Sequence, residues 1–152
     1  MSESATDFGG GKEVPSPMVF GYMCLCLSPD DSGGIVTLRD VLLDHAAPHK
    51  SRLEVALVVG LIRRNTTPAP VRLDAMTYWI DRGGVAQRIR GNSGIATSHV
   101  PPGPIGPTSI LFELDYPVER TGLHGVTLFD PGGAFGIPNR QLATCQFLLR
   151  AR

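Results

Sequence analysis

The sequence predicts an all-β fold: a single-domain antiparallel two-sheet β-sandwich of about eight strands. Three observations carry this. In the central stretch from Ser51 to Ile80, apolar residues recur with period two: Leu53, Val55, Leu57, Val59 and Leu61 fall on one side, and Glu54, Ala56, Val58, Gly60 and Ile62 on the other. The 18 glycines and 13 prolines are dispersed between apolar runs, as turn punctuation rather than as a repeat. No segment sustains a helical period over about ten residues. Immunoglobulin-like, C2-like and jelly-roll wirings all remain open at this stage.

With 152 residues the chain has room for one domain with a proper core. Apolar residues make up 42% and charged residues 18%, less than the usual quarter or so, which is the pattern of a surface partly covered by a partner. The 14 basic and 14 acidic residues cancel. That leaves no electrostatic footprint for nucleic acid or an anionic membrane, and it favours self-association near neutral pH. No apolar run approaches the ~18 residues that would span a bilayer. The opening MSESATDFGGGKEVPSP lacks the basic and apolar regions of a signal peptide. The cysteines (Cys24, Cys26 and Cys145) are sparse and odd in number, unlike a secreted disulfide framework. The expectation is a cytoplasmic protein with no cofactor.

In chain order, residues 1–17 are small and polar and read as a flexible N-terminal arm, with the sandwich domain over 18–152. Met18 to Leu27 reads as a strand covered on both faces, Phe20, Tyr22, Cys24 and Cys26 on one and Val19, Met23, Leu25 and Leu27 on the other. Cys24 and Cys26 would sit ~7 Å apart, too far to bridge, and read as buried small hydrophobes. Ser28 to Gly34 is a turn cluster, and Ile35 to Leu43 a returning strand. Asp44 to Ser51 reads as a polar connection: Pro48 between His45 and His49, and the shortness of the segment, argue against a helical metal pair.

The alternation of the first central run is matched by the second. Val71, Leu73, Ala75, Thr77 and Trp79 share one face, so Tyr78 and Trp79 point to opposite sides. The two runs read as the central pair of the sandwich, joined by the proline-containing link Asn65 to Pro70. Asp81 to Gly84 is a turn into Val85 to Arg90, with Arg88 and Arg90 on a solvated face.

Gly91 to Pro107 is the longest irregular region. Its apolar residues Ile95, Val100 and Ile105 are the candidate interface residues; they either pin the loop to the body or meet another chain. Thr108 to Val118 reads as a strand with Ile110, Phe112, Leu114 and Tyr116 inward and Leu111, Glu113 and Asp115 outward. Val126 to Phe129 is a further strand, Asp130 to Gly133 a turn, and Gln141 to Leu149 the closing strand.

Two segments, YMCLCLSPDDSGGIVTLRDVLLDHAAP and GLHGVTLFDPGGAFGIPNRQLATCQFLL, read as strand–turn–strand and as a closing hairpin. In this the chain resembles small bacterial β-sandwich domain families of unknown function, over about residues 18 to 150. The resemblance implies a β-sandwich and carries no catalytic residue across.

Enzymatic motifs are missing or incomplete. Gly91-Asn92-Ser93-Gly94 falls one residue short of a nucleophile elbow, and no phosphate-binding glycine loop is present. Glu113, Asp115 and Glu119 are the candidate carboxylates, and Glu113 and Asp115 read as ordinary acids on a solvated strand face. The expected function is therefore non-catalytic: a structural or protein-interaction module, self-associating or part of a larger protein assembly. A small-ligand or carbohydrate-binding sandwich, using Trp79 or Tyr78, is the alternative.

Overall fold

Most strands form where the period-two pattern places them, and two sheets bury their apolar faces against each other. The computed structural model describes residues 16–30, 37–41, 43–89, 95–118 and 120–152. The expected arm up to Pro15, the turn from Asp31 to Gly34, Ile35, Val36, Leu42, Arg90, the Gly91–Gly94 tetrapeptide and Glu119 lie outside them. The described strands are β1 (Met18–Asp30), β2 (Thr37–Val41), β3 (Asp44–Ala47), β4 (Arg52–Arg63) and β5 (Val71–Ile80). They continue with β6 (Ala86–Arg88), β7 (Ile95–Val100), β8 (Gly106–Pro117), β9 (Gly122–Asp130) and β10 (Arg140–Ala151).

One sheet has four strands in the order β2-β1-β4-β8. The other has six, in the order β3-β10-β9-β5-β6, with β7 also pairing with β5. All pairings are antiparallel except β3 with β10, which is parallel. The all-β, two-sheet sandwich read from the sequence is the observed fold.

The core lies between the sheets. Leu53, Val55, Leu57, Val59 and Leu61 of β4 and Ile110, Phe112, Leu114 and Tyr116 of β8 face Leu73 and Ala75 of β5, Val126 and Leu128 of β9, and Phe147 and Leu149 of β10. Each fully buried large apolar side chain contributes roughly 1.5–3 kcal/mol. At the centre, the Tyr116 ring meets His124 edge-on at 5.6 Å and Phe147 edge-on at 5.0 Å, while His124 stacks on Phe147 at 5.7 Å.

Four local expectations are corrected. First, β4 and β5 do not pair: each runs inside a different sheet. The link between them crosses from sheet to sheet and is anchored by reciprocal Thr67 and Gly103 backbone hydrogen bonds of 3.0 and 3.2 Å. Arg63, buried at the end of β4, donates to Thr67 Oγ1 at 3.2 Å and to the Pro101 carbonyl, tying the two proline-containing connections together.

Second, the register of β1 against β4 shifts between Phe20 and Tyr22. A Cβ on Gly21 would lie 2.8 Å from the Gly60 carbonyl oxygen, so only glycine fits this bulge. The shift turns Phe20 inward, to the core side that Met23 and Leu27 also take, while Tyr22 stays on the outer face. Third, Asp44–Ala47 is an edge strand rather than a loop, held by its parallel pairing to β10 and by Arg150 gripping Asp44 with bonds of 3.0 Å. Fourth, Ile95–Val100, read as irregular, pairs with β5 from Val71↔Val100 to Met76↔Ile95. Its partner is distant in sequence, and six residues of polar and small character carry no strong period of their own.

Candidate interaction face of the four-stranded sheet

The outer face of the four-stranded sheet is assembled row by row from β1, β4 and β8. The pairings place Val19, Ile62 and Pro107 in one row, Tyr22, Gly60 and Ser109 in the next, then Cys24, Val58 and Leu111, then Cys26, Ala56 and Glu113. Glu54 and Asp115 end the series. Alternation along β4 is what brings these residues to one side, because period two sends Leu57, Val59 and Leu61 the other way.

At one end this face is apolar and open to solvent. Ile62 is 47% exposed, Tyr22 45% and Leu111 37%, over a floor where Val58 is buried. The Tyr22 ring lies across Gly60, in the space where a Cβ would otherwise stand. At the other end it is acidic. Glu54 stands opposite Asp115 and Ala56 opposite Glu113. Like charges directly across a ladder repel, and Arg52 relieves this by donating to Asp115 Oδ2 at 2.6 Å. Shallow clefts of about 380 Å³ beside Tyr22, Ile62 and Pro107 and about 390 Å³ beside Glu54, Glu113 and Asp115 open on the two ends.

The three expected contact residues are dispersed. Val100 is buried in the chain's own core at 1% exposure, so it pins its strand to the body. Ile105 is 66% exposed, directly before β8 and two residues from Pro107 of the apolar end. Ile95 is 37% exposed on β7, opposite Met76 of the six-stranded sheet. Tyr22, Ile62 and Leu111 were readable as strand residues, but their joint exposure depends on which strands become neighbours.

The cysteines are unsuited to nucleophilic work. Burial raises the Cys24 thiol, which donates to the Leu25 carbonyl at 3.6 Å. Burial, with a smaller contribution from Cys24, pushes Cys145 up to about 11. Both are held as neutral thiols near pH 7. Among the described residues, no three His, Cys, Asp or Glu side chains are grouped to hold a metal ion, and no helix is long and apolar enough to cross a membrane.

A second feature lies at one end of the six-stranded sheet. A cleft of about 880 Å³ is lined by Trp79, Ile80, Arg82, Arg120, Leu123 and Leu148, among others. The Arg120 guanidinium carbon stands 5.4 Å from the Trp79 ring centre. Trp79 donates its indole N–H to the Thr121 carbonyl at 3.1 Å. The sequence marked Trp79 as a potential surface aromatic; nothing in it pointed to Arg120, which arrives from the connection between β8 and β9.

The fold and these surfaces define a small all-β sandwich domain. No family model matches the chain, and no curated protein does. Among solved structures, several are similar in outline, three of them as follows. The CARDB domain of a Pyrococcus furiosus protein, in complex with di-metal ions, aligns with a TM-score of 0.42 and 11% identity over 88% of this chain and 96% of that one. The Pseudomonas fluorescens alkylpurine DNA glycosylase AlkC, bound to DNA containing an abasic site analog, aligns with a TM-score of 0.42 and 13% identity over 90% of this chain. This chain spans only 31% of the glycosylase chain. The N-terminal domain of PorA aligns with a TM-score of 0.31 and 16% identity over 86% of this chain and 98% of that one. These proteins differ among themselves, and none assigns a role to this chain. The resemblance to bacterial families of unknown function thus reduces to a coarser statement: a small all-β domain weakly resembling several distinct sandwiches.

Proposed function

We propose that this chain is a non-catalytic protein-interaction module that associates with a second copy of itself through the outer face of its four-stranded sheet. The observation that carries the reading is the adjacency of Tyr22, Ile62 and Leu111, exposed on neighbouring strands over a buried Val58. Grouped exposed apolar side chains rimmed by charge mark association surfaces more often than scattered ones do. The balanced charge of the chain, 14 basic against 14 acidic residues, removes long-range repulsion between copies. In a two-fold contact the apolar ends would meet, and Glu54 and Glu113 would fall at the rim where water screens them.

Light scattering across a concentration series tests this. The wild-type chain is expected to shift from monomer to dimer mass with rising concentration. Ile62→Lys and Leu111→Lys should remain monomeric with unchanged far-UV circular dichroism. A strict monomer at high concentration, or a dimer indifferent to both variants, would overturn the reading.

A further inference from the structure

The cleft at the end of the six-stranded sheet has the composition of a small-molecule site, separate from the association face. Trp79, which also packs against the core, and Ile80, Leu123 and Leu148 supply its apolar lining. The cleft is open to solvent, with a volume of about 880 Å³. Two arginines line it. Asp81 lines it as well, but is committed to its own turn. Its carboxylate accepts the Gly83 and Val85 amides at 2.9 Å each and the Gln87 side-chain amide at 3.0 Å. Those donors hold it below the ordinary carboxylate range, Val85 contributing most.

Among the described residues, neither Arg82 nor Arg120 forms an ion pair. Arg120 instead lies over the indole ring, its guanidinium carbon within cation–π range of the ring centre. Trp79 is itself fixed: its N–H is spent on Thr121, and the next residue, Gly122, turns the chain at φ +114°. The cleft therefore offers apolar surface with two arginines beside it and one carboxylate, Asp81, already occupied by its own turn.

We propose that this cleft binds a small amphiphilic anion, with a carboxylate or phosphate held by Arg82 and Arg120 and an apolar body lying against Trp79, Leu123 and Leu148. An arginine fork pairs bidentately with either acid, and the apolar walls select against a bare inorganic ion.

Trp79 is the only tryptophan of the chain, so its fluorescence reports on the cleft. The probes are phenylbutyrate, phenyl phosphate, neutral phenylbutanol and inorganic phosphate, titrated into the full chain, with affinities checked by calorimetry because removing Arg120 also alters the fluorescence baseline. Phenylbutyrate, phenyl phosphate or both should give a saturable change, and the stronger of the two identifies the acid. Phenylbutanol and inorganic phosphate should each bind at least about tenfold more weakly, as expected for loss of charge-assisted bonds. Arg82→Gln and Arg120→Gln should each weaken the anion by about tenfold, while Ile62→Lys should bind it as the wild type does. No saturable response to either organic anion overturns the proposal. So do equal affinity for the alcohol, wild-type binding by both glutamine variants, or loss of binding in Ile62→Lys.

Discussion

Tyr116, on the four-stranded sheet, donates its phenolic hydrogen to the carbonyl of Gly125, on the six-stranded sheet, across 2.9 Å of the buried core. It is a buried polar tether between two layers held mainly by apolar contact. Tyr116 has no exposed surface, and burial raises its phenol far above the ordinary range. The hydroxyl is therefore a permanent donor. Tyr116→Phe should lower stability by about 1 kcal/mol, the net worth of one buried hydrogen bond. Tyr116→Ala should cost roughly 3–5 kcal/mol, by analogy with other large aromatic truncations. Urea unfolding checks both, as a shift in midpoint for Tyr116→Phe without a change in slope.

His124 shares that core and predicts an acid response. Its Nδ1 donates to the Gly122 carbonyl at 3.3 Å, while Nε2 is buried without a partner. Burial is the main reason its pKa is lowered, with the nearby Arg120 adding to the effect and the Gly122 bond opposing it. In the unfolded chain a histidine titrates near ~6.5. Between that value and the lower folded one, the unfolded state binds the proton that the folded state refuses. The contribution is thus fully present above about pH 6.5 and is lost as pH falls through the folded pKa. Melting temperature measured from pH 7.5 downward should fall in the wild type and fall less in His124→Phe. Parallel curves would remove His124 as the cause.

Two glycines serve as seats for aromatic rings, one on the outer face of each sheet. Tyr22 lies over Gly60, and Tyr78 over its cross-strand partner Gly125. Tyr78 is further held by Thr144 at 2.7 Å and Gln146 at 3.0 Å, and a Cβ on Gly125 would also lie 2.8 Å from the Cys145 carbonyl oxygen. Because that second neighbour is backbone, Gly125→Ala has no cheap relaxation. It should destabilise by about 1–3 kcal/mol, measured by thermal or urea unfolding. Gly60→Ala should displace the Tyr22 ring instead, and so also weaken self-association in light scattering.

Arg63 is a buried cation whose acceptors here, Thr67 Oγ1 and the Pro101 carbonyl, are both neutral. A Cβ at Gly103 would lie 2.7 Å from Arg63 Nη1, so a side chain there would displace the guanidinium. Arg63→Met should leave the Pro101 carbonyl short of a donor and cost about 1–3 kcal/mol. Arg63→Lys should not restore it, because a single ammonium cannot span both acceptors. Hydrogen exchange should quicken at the Thr67 and Gly103 amides in both variants while the centres of β4 and β9 stay protected.

By itself the sequence determined that this chain forms strands, which residues of β4 and β5 share a face, which side of β8 faces inward, and that Asp130 opens a turn. In the structure the buried Asp130 carboxylate accepts the Gly133 amide at 3.0 Å and the Phe135 amide at 2.8 Å. These are local matters: alternation and turn chemistry are written in residues a few positions apart. Only the tertiary structure decided that β4 and β5 enter different sheets, that Asp44–Ala47 runs parallel to β10, that Gly21 turns Phe20 inward, and that Arg120 lies on Trp79. The candidate face and the cleft both belong to this second group. Each is built from side chains far apart in sequence, and a strand's own pattern says which way its residues point without saying which strand will lie beside it.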